Sequence, residues 1–528
     1  MIKHCSHVSG GKALRRLFLF RSLRDYQTSS NVMEASSNAD YFEPLNAFVQ
    51  TGFDATNIES SACCFENKGL RGMLLAVKDC YTYRECGSCG SLMLDSYRPT
   101  YNATVVQKLT DSGVLVIGRT NMDEFCMGSS SSQSYYGPVK NPWTLHFLEK
   151  SELSLSSAEL SSHLQRDWII PGGSSGGSAV AVACKIADIG LGSDTGGSVR
   201  NPAAHCGVVG LKPSYGRVSR QGLIPLVNSL DVPGIFTQSV LLAARVLDAI
   251  SGRDIKDSTT VNRQFSSTEK ALTDSHLSVK DMRIGVPKEY RPVGLSDDCL
   301  DAWSRVADML CDAGARVVQC SLPHTPYSIV CYHVLGECEV ASNMARYDGI
   351  EYGHRASKSF KTVDSMSQLS RDEGFNEIVR RRILAGNYFL LKENYDDYFL
   401  QACRIRRLIA DDFRRAFSEM GLDALLTPVT LSDAPLYSDF IQNDKGYERE
   451  RQDDYFTQPA NMAGIPAISI PIQLSSRGLP VGVQLMSDRF EEAALLKLAY
   501  FIEQNVNFQG MNINSLRSRF PSLTSNKS

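Results

Sequence analysis

Pro171-Gly-Gly-Ser-Ser-Gly-Gly-Ser-Ala-Val-Ala-Val-Ala-Cys-Lys-Ile-Ala-Asp-Ile-Gly-Leu-Gly-Ser-Asp-Thr-Gly-Gly-Ser-Val-Arg200 is the stretch on which the reading of this chain turns. It opens and closes on glycine-serine clusters, Pro171–Ser178 and Gly192–Arg200. Between them, Ser178–Lys185 is small and apolar, which suits a helix packed closely on a sheet. Ile186–Leu191 suits a buried strand. Successive glycines let backbone N–H groups converge on one point and form an anion-binding nest. A nest beside a serine hydroxyl is what acyl transfer requires, because the hydroxyl attacks a carbonyl while the nest holds the oxyanion. The plainer reading makes both clusters tightly turning loops without chemistry.

Outward from this stretch, the apolar pattern predicts further elements. Met73–Val77 reads as a buried strand ending at Lys78-Asp79. Ala103–Asp111 reads as a helix and Val114–Ile117 as a strand. Arg283–Val286 and Arg316–Cys320 read as strands flanking a helix at Asp297–Ala313. Ala467–Pro471 and Val481–Met486 read as strands, followed by a helix at Glu491–Glu503. This alternation predicts an α/β fold: a central, mixed, largely parallel sheet flanked by helices. Thr144–Asp167, rich in serine and free of glycine, reads as an inserted surface loop with a short helix. The expected organisation is a leader at 1–30, a main domain at 31–510 interrupted by the insertion at 144–167, and a tail at 511–528. Ser515–Ser528 reads as loose.

Composition narrows the function. The chain has 528 residues, 43% hydrophobic and 21% charged, which excludes global disorder and fibrous structure. Lys+Arg 55 against Asp+Glu 58 gives a net charge of −3, so there is no bulk basic field for gripping nucleic acid or an anionic membrane. No apolar run is long enough for a transmembrane helix. The 15 cysteines are too sparse for a disulfide scaffold. Isolated ones in apolar runs, such as Cys184 and Cys311, read as buried thiols. Cys63-Cys64 and Cys86-Gly-Ser-Cys89 have no second pair or histidine at ligand spacing, so no metal is expected. Residues 1–24 carry Lys3, Lys12, Arg15, Arg16, Arg21 and Arg24 and no acidic residue. That is the composition of a mitochondrial transit peptide, the alternative being a basic helix packed on the domain.

A serine nucleophile needs a base. Gly172–Gly176 fits the G-x-S-x-G elbow, which then demands an acidic residue and a late histidine. His205 follows the serines closely and His354 is the last histidine, so a Ser-His-Asp set is poorly served. Neither cluster ends in Gly-Lys-Ser/Thr, so a phosphate-binding loop fails. Lys78 is the other base. Burial disfavours an ammonium, and Ser-Lys pairs replace Ser-His elsewhere. Lys78 can also be read as an exposed strand end paired with Asp79.

Lys78, Gly172–Ser178 and Gly192–Arg200, in this order and with the spacing of Ser174 to Ser198, resemble the amidase signature family. The resemblance implies a Ser-cisSer-Lys triad: Ser198 as nucleophile, Ser174 as bridging serine after a cis peptide from Gly173, and Lys78 as terminal base. It implies an oxyanion hole of the backbone N–H groups of Thr195, Gly196, Gly197 and Ser198. Ser175 and Ser178 read as structural hydrogen-bonders or caps, and Asp194 with Arg200 as the support of the loop. Further segments resemble one branch of the family, the glutamine-hydrolysing subunits that serve misacylated Glu-tRNA(Gln), mitochondrial forms included. They include Tyr101–Val106, Gly118–Gly128, Gly207–Ser219, Ala341–Gly353, Arg381–Gly386 and Pro459–Pro466, and the resemblance runs from about residue 69 to 505. It implies that Arg382 clamps the α-carboxylate of glutamine, Asp454 receives its α-ammonium and Tyr332 adds a hydroxyl. It also implies that this chain binds no cofactor and that ATP and Mg²⁺ act on a partner, the B subunit. A small third partner, the C subunit, would complete the complex, and tRNA contact would fall mainly to these partners. The competing readings are a free-standing amidase for fatty-acid or aryl amides and a catalytically silent scaffold.

Overall fold

Two short strands, Leu74–Lys78 (β2) and Ile189–Asp194 (β4), have every residue buried. They therefore read as continuous apolar or small runs, the mark of strands covered on both faces. The computed structural model describes residues 29–51, 69–83, 87–150, 164–273, 278–357, 360–441 and 454–520. Within it, β2 and β4 belong to a sheet completed by Phe48–Thr51 (β1), Leu115–Thr120 (β3), Val209–Lys212 (β5), Val232–Thr237 (β6), Arg283–Pro287 (β7), Arg316–Cys320 (β8), Ala424–Pro428 (β9), Ala467–Leu474 (β10) and Pro480–Met486 (β11). The order across this 11-stranded sheet is β1-β3-β2-β4-β6-β5-β10-β11-β9-β7-β8.

The sheet is mixed and flanked by helices, as the alternation of elements predicts, but its parallel part is confined to two blocks. β2 runs parallel to β3 and β4, and β7 runs parallel to β8 and β9. Everything between is antiparallel: β4–β6, β6–β5, β5–β10, β10–β11 and β11–β9. The difference has a physical source. β5 and β6 lie in glycine-bearing sequence that shows no clear strand period, and they are joined by a loop rather than a crossover helix. β10 returns into β11 through a tight turn at 475–478, and a short connection permits only antiparallel pairing.

Helix Gly176–Ala183 has all of its residues buried. A Cβ on Gly177 would stand 2.3 Å from the carbonyl oxygen of Asn121 and 2.6 Å from that of Ala47. Only glycine lets the start of this helix approach so closely, and that approach sets the position of the serines just before it.

Three expectations change. The segment read as a surface insertion carries a short helix as expected, Trp143–Lys150, but it starts in the interior, with Thr144 and Leu145 buried. The indole N–H of Trp143 donates to the Cys206 carbonyl at 3.0 Å, and residues 151–163 lie outside the described residues. The tail expected to be loose is, up to Phe520, a docked helix at Ile513–Arg519. Ile513, Leu516 and Phe520 form an apolar stripe that packs with Tyr41, Phe42 and Trp143. The Tyr41 hydroxyl donates to the carbonyls of Leu516 and Phe520 at 3.2 and 2.9 Å. Cys184 is buried, but Cys311 is exposed, because it falls off the stripe Cys299, Ala302, Trp303, Val306 and Leu310 that its helix buries. Most of the predicted leader, residues 1–28, lies outside the described residues, as do Cys63, Cys64 and Cys86. Among the described residues no helix is long and apolar enough to cross a membrane.

If the C-terminal helix is docked as described, Leu516→Ala should lower stability by about 2–5 kcal/mol, the usual result of emptying a buried leucine site. A thermal melt of the purified chain checks this, and an unchanged midpoint would count against the docking.

Candidate active site

The carboxyl ends of neighbouring parallel strands are where α/β sheets place their ligands. Here β2 ends on Lys78 and β4 on Asp194. Lys78 is wholly buried. Its Nζ donates to Ser174 Oγ at 2.7 Å and to Ser193 Oγ at 2.9 Å. The reading of Lys78 as an exposed partner of Asp79 is therefore set aside. Asp79 is instead paired with Arg119, and it accepts hydrogen bonds from the Ser88 and Gly90 N–H groups at 3.2 and 3.0 Å.

Ser174 follows a cis peptide from Gly173. Ser175 and Ser178, read as hydrogen-bonders or caps, bond to the strand rather than cap the helix. Ser175 Oγ donates to the Ser193 carbonyl at 3.3 Å and Ser178 Oγ to that of Leu191 at 2.8 Å. Ser198 stands between β4 and helix Arg200–Cys206. Of the three triad positions it alone reaches solvent, at 8% exposure, with Ser174 and Lys78 at 0%. A serine at the mouth, with a hydrogen-bonded lysine and serine sealed behind it, is an arrangement open to an approaching carbonyl.

The loop 195–198 is clamped from beneath. Asp194 and Arg200, both fully buried, form an ion pair at 2.8 Å. Asp194 Oδ2 also accepts from the Val199 N–H at 3.2 Å. Arg200 donates to the Thr457 carbonyl at 2.8 Å, to Gln484 Oε1 at 2.7 Å and to Asn461 Oδ1. Asn461 returns a bond to the Asp194 carboxylate at 2.9 Å. Burial alone would raise Asp194, but the Arg200 guanidinium outweighs it and holds the carboxyl at about 2. Thr195 donates to Asp231 at 2.7 Å, and Thr457 Oγ1 donates to the Gly196 carbonyl at 2.6 Å. Gly197 has φ +155°, and a Cβ there would stand 2.6 Å from Asp454 Oδ1.

Two of the three residues assigned to substrate recognition lie against this loop, Tyr332 at Gly196 and Asp454 at Gly197. Tyr332, on helix Ser328–Met344, is buried against Gly196: a Cβ at that glycine would stand 2.9 Å from its ring. Burial raises the Tyr332 hydroxyl, with Arg382 pulling it down and Asp454 pushing it up. Arg382, on helix Glu377–Phe389, is half-buried, as is Asp454. Ser193, which receives a hydrogen bond from Lys78, is a residue of the site that sequence reasoning did not single out, although it stands inside the second glycine cluster. Its hydroxyl also meets the Cys126 and Cys80 thiols at 3.4 and 3.7 Å. The third thiol here is Cys89, and hydrogen bonds from the Cys80 and Cys89 thiols hold Cys126 well below the usual thiol range. His354 is engaged by Glu373 at 3.0 Å, and His205 is buried in helix Arg200–Cys206. Among the described residues no cluster of His, Cys, Asp or Glu is placed to hold a metal.

A buried sheet edge that presents a lysine, a cis-linked serine and an outward serine over a glycine loop defines a class before it defines a molecule. The chain belongs to the amidase family, which it matches over residues 41–148 and 163–496. The break between the two matched segments falls in the insertion. Among curated proteins it is 50% identical to the mitochondrial glutamyl-tRNA(Gln) amidotransferase A subunit of Pediculus humanus subsp. corporis, over 92% of this chain and 96% of that one. It is 52% identical to the same-named protein of Homo sapiens, over 85% and 84%. Among solved structures it is similar to the glutamyl-tRNA(Gln) amidotransferase A subunit of Thermotoga maritima. That match has 33% identity and TM-score 0.72, and covers 97% of this chain and 98% of that one. It is also similar to the peptide amidase of Stenotrophomonas maltophilia, with 26% identity and TM-score 0.70 over 93% and 96%.

Removing Arg200 as Arg200→Ala leaves a buried, uncompensated carboxylate and should cost about 3–5 kcal/mol. The Asp194 carboxyl sits at about 2 against an ordinary 3.8. Its contribution, about 2 kcal/mol, is therefore complete above about pH 4 and lost as the pH falls toward 2. Melting curves across that window should be flatter for Asp194→Asn than for the wild type.

Proposed function

We propose that this chain is the glutaminase component of a glutamyl-tRNA(Gln) amidotransferase working in mitochondria. The observation that carries the reading is the Lys78–Ser174 hydrogen bond of 2.7 Å, buried behind a Ser198 that faces out. Ser198 attacks the side-chain amide carbon of glutamine. Its proton passes to Ser174 as Ser174 gives one to Lys78, and the oxyanion is received by the N–H groups of Thr195, Gly196, Gly197 and Ser198. The same relay protonates the departing ammonia, and water then releases glutamate from the acyl-enzyme.

Glutamine brings one charge of each sign, to be met by Arg382, which acts on the Tyr332 hydroxyl, and by Asp454, whose carboxylate lies against Gly197. Arg382 holds the α-carboxylate, for which a guanidinium is bidentate. Asp454 takes the α-ammonium, and Tyr332 contributes its hydroxyl. An enzyme for lipid or aryl amides would have no use for this charge pair. The ammonia serves a partner: the B subunit, with ATP and Mg²⁺, activates Glu-tRNA(Gln), and the small C subunit completes the complex. The near-neutral charge of this chain agrees with tRNA lying mainly on partners. The mitochondrial setting rests on the names of the relatives and on the basic, acid-free residues 1–24.

Ser198→Ala in the assembled complex should lower glutamine-dependent amidation by roughly 10³-fold or more while ammonia-dependent amidation survives. Equal loss of both would make Ser198 structural. Lys78→Arg should be as inactive as Lys78→Ala, because arginine does not give up its proton. A fully active Lys78→Arg enzyme would remove Lys78 from the relay.

A further inference from the structure

Gln458 is buried, at 1% exposure, and its carboxamide oxygen has no hydrogen-bond partner among the described residues. Buried polar atoms are nearly always bonded, so each exception asks for a reason. The surrounding network offers none, because it is complete without this oxygen. Arg200, Asn461, Gln484 and Thr457 all bond one another or the loop, and none of those bonds uses Gln458 Oε1.

The position of the side chain supplies the reason. The Gln458 Cγ lies 3.2 Å from where a Cβ on Gly196 would stand, and the Tyr332 ring lies 2.9 Å from the same point. Gln458 and Tyr332 therefore flank the glycine at the centre of the oxyanion loop. The Gln458 N–H donates to the Asp454 carbonyl at 3.1 Å, one helical turn back along the chain. The Asp454 carboxylate itself stands against Gly197. The Gln458 side chain and the Asp454 carboxylate thus lie against adjacent glycines of the loop assigned to receive the reacting carbonyl.

We infer that Gln458 is a specificity-determining residue whose carboxamide oxygen accepts a hydrogen bond from the α-ammonium of the substrate, beside Asp454. The inference rests on glutamine being the substrate. An ammonium carries three donors and no acceptor. A carboxylate alone leaves a donor unmet, and a buried acceptor oxygen has nothing to offer a substrate that lacks one. Such a site rejects analogues without the amino group, because their binding leaves the buried oxygen unpaired.

The test compares hydrolysis of glutamine with that of 4-carbamoylbutanoate, which is glutamine without its α-amino group. It uses the complex purified with its partner subunits, as wild type, Gln458→Leu and Gln458→Glu. Gln458→Leu should raise KM for glutamine about tenfold while kcat moves far less. It should also narrow the preference for glutamine over the analogue by about the same factor. Gln458→Glu keeps the shape and the acceptor, and should retain the preference. A preference that persists in Gln458→Leu, or a fall in kcat shared equally by both substrates, would overturn the inference alone. A wild-type complex that hydrolyses glutamine no better than the analogue would overturn the glutamine reading and this inference together.

Discussion

The buried ion pair between Asp194 and Arg200 is the contact on which the site depends. It joins the end of β4 to the start of the next helix, so the loop between them, with its paired glycines and Ser198, has both ends fixed. The same guanidinium reaches Thr457, Asn461 and Gln484. One side chain thereby ties the Ser198 loop to a segment more than 250 residues further along the chain. Two charges out of water are costly unless every donor and acceptor is met. Here the network meets them, and the lowered pKa of Asp194 is its signature.

Behind the loop the chemistry is organised by burial. A lysine at the surface is a solvated cation. At the end of a strand with every residue buried, held between two serine hydroxyls, it becomes part of a hydrogen-bonded chain. Asp79, the nearest carboxylate in sequence, is occupied by Arg119 and two backbone N–H groups. Neighbouring positions on one strand end thus divide the work: Asp79 secures the loop at 88–90, while Lys78 faces the serines.

What could be read from the sequence follows from the kind of constraint each residue answers. Gly172–Ser178 and Gly192–Arg200 were legible because converging N–H groups and a close helix approach demand glycine locally. Lys78 was legible because an apolar run precedes it. Ser193 and Gln458 were not, since a serine or glutamine acquires its meaning only when β2 lies beside β4 or when residue 458 folds against Gly196. Tyr332, Arg382 and Asp454 came from family resemblance alone, because two helices and a distant turn bring them together and no local period marks them. The antiparallel centre of the sheet escaped because β5 is four residues long and sits in glycine-bearing sequence. The C-terminal helix escaped because its apolar stripe is brief and follows a polar stretch.

The placement of β10 and β11 between β5 and β9 has a bearing on the order of events during synthesis. These strands come from residues 467–486, yet they are the seam that joins the two parallel blocks. Of the residues that hold Arg200, Asn461 lies just before this stretch and Gln484 within it. A nascent or truncated chain therefore carries Lys78, Ser174 and Ser198 long before it can brace the loop between Asp194 and Arg200. Such distant pairings are slow to form. The loop that bears Ser198 is thus braced only once the final strands of the polypeptide have been made.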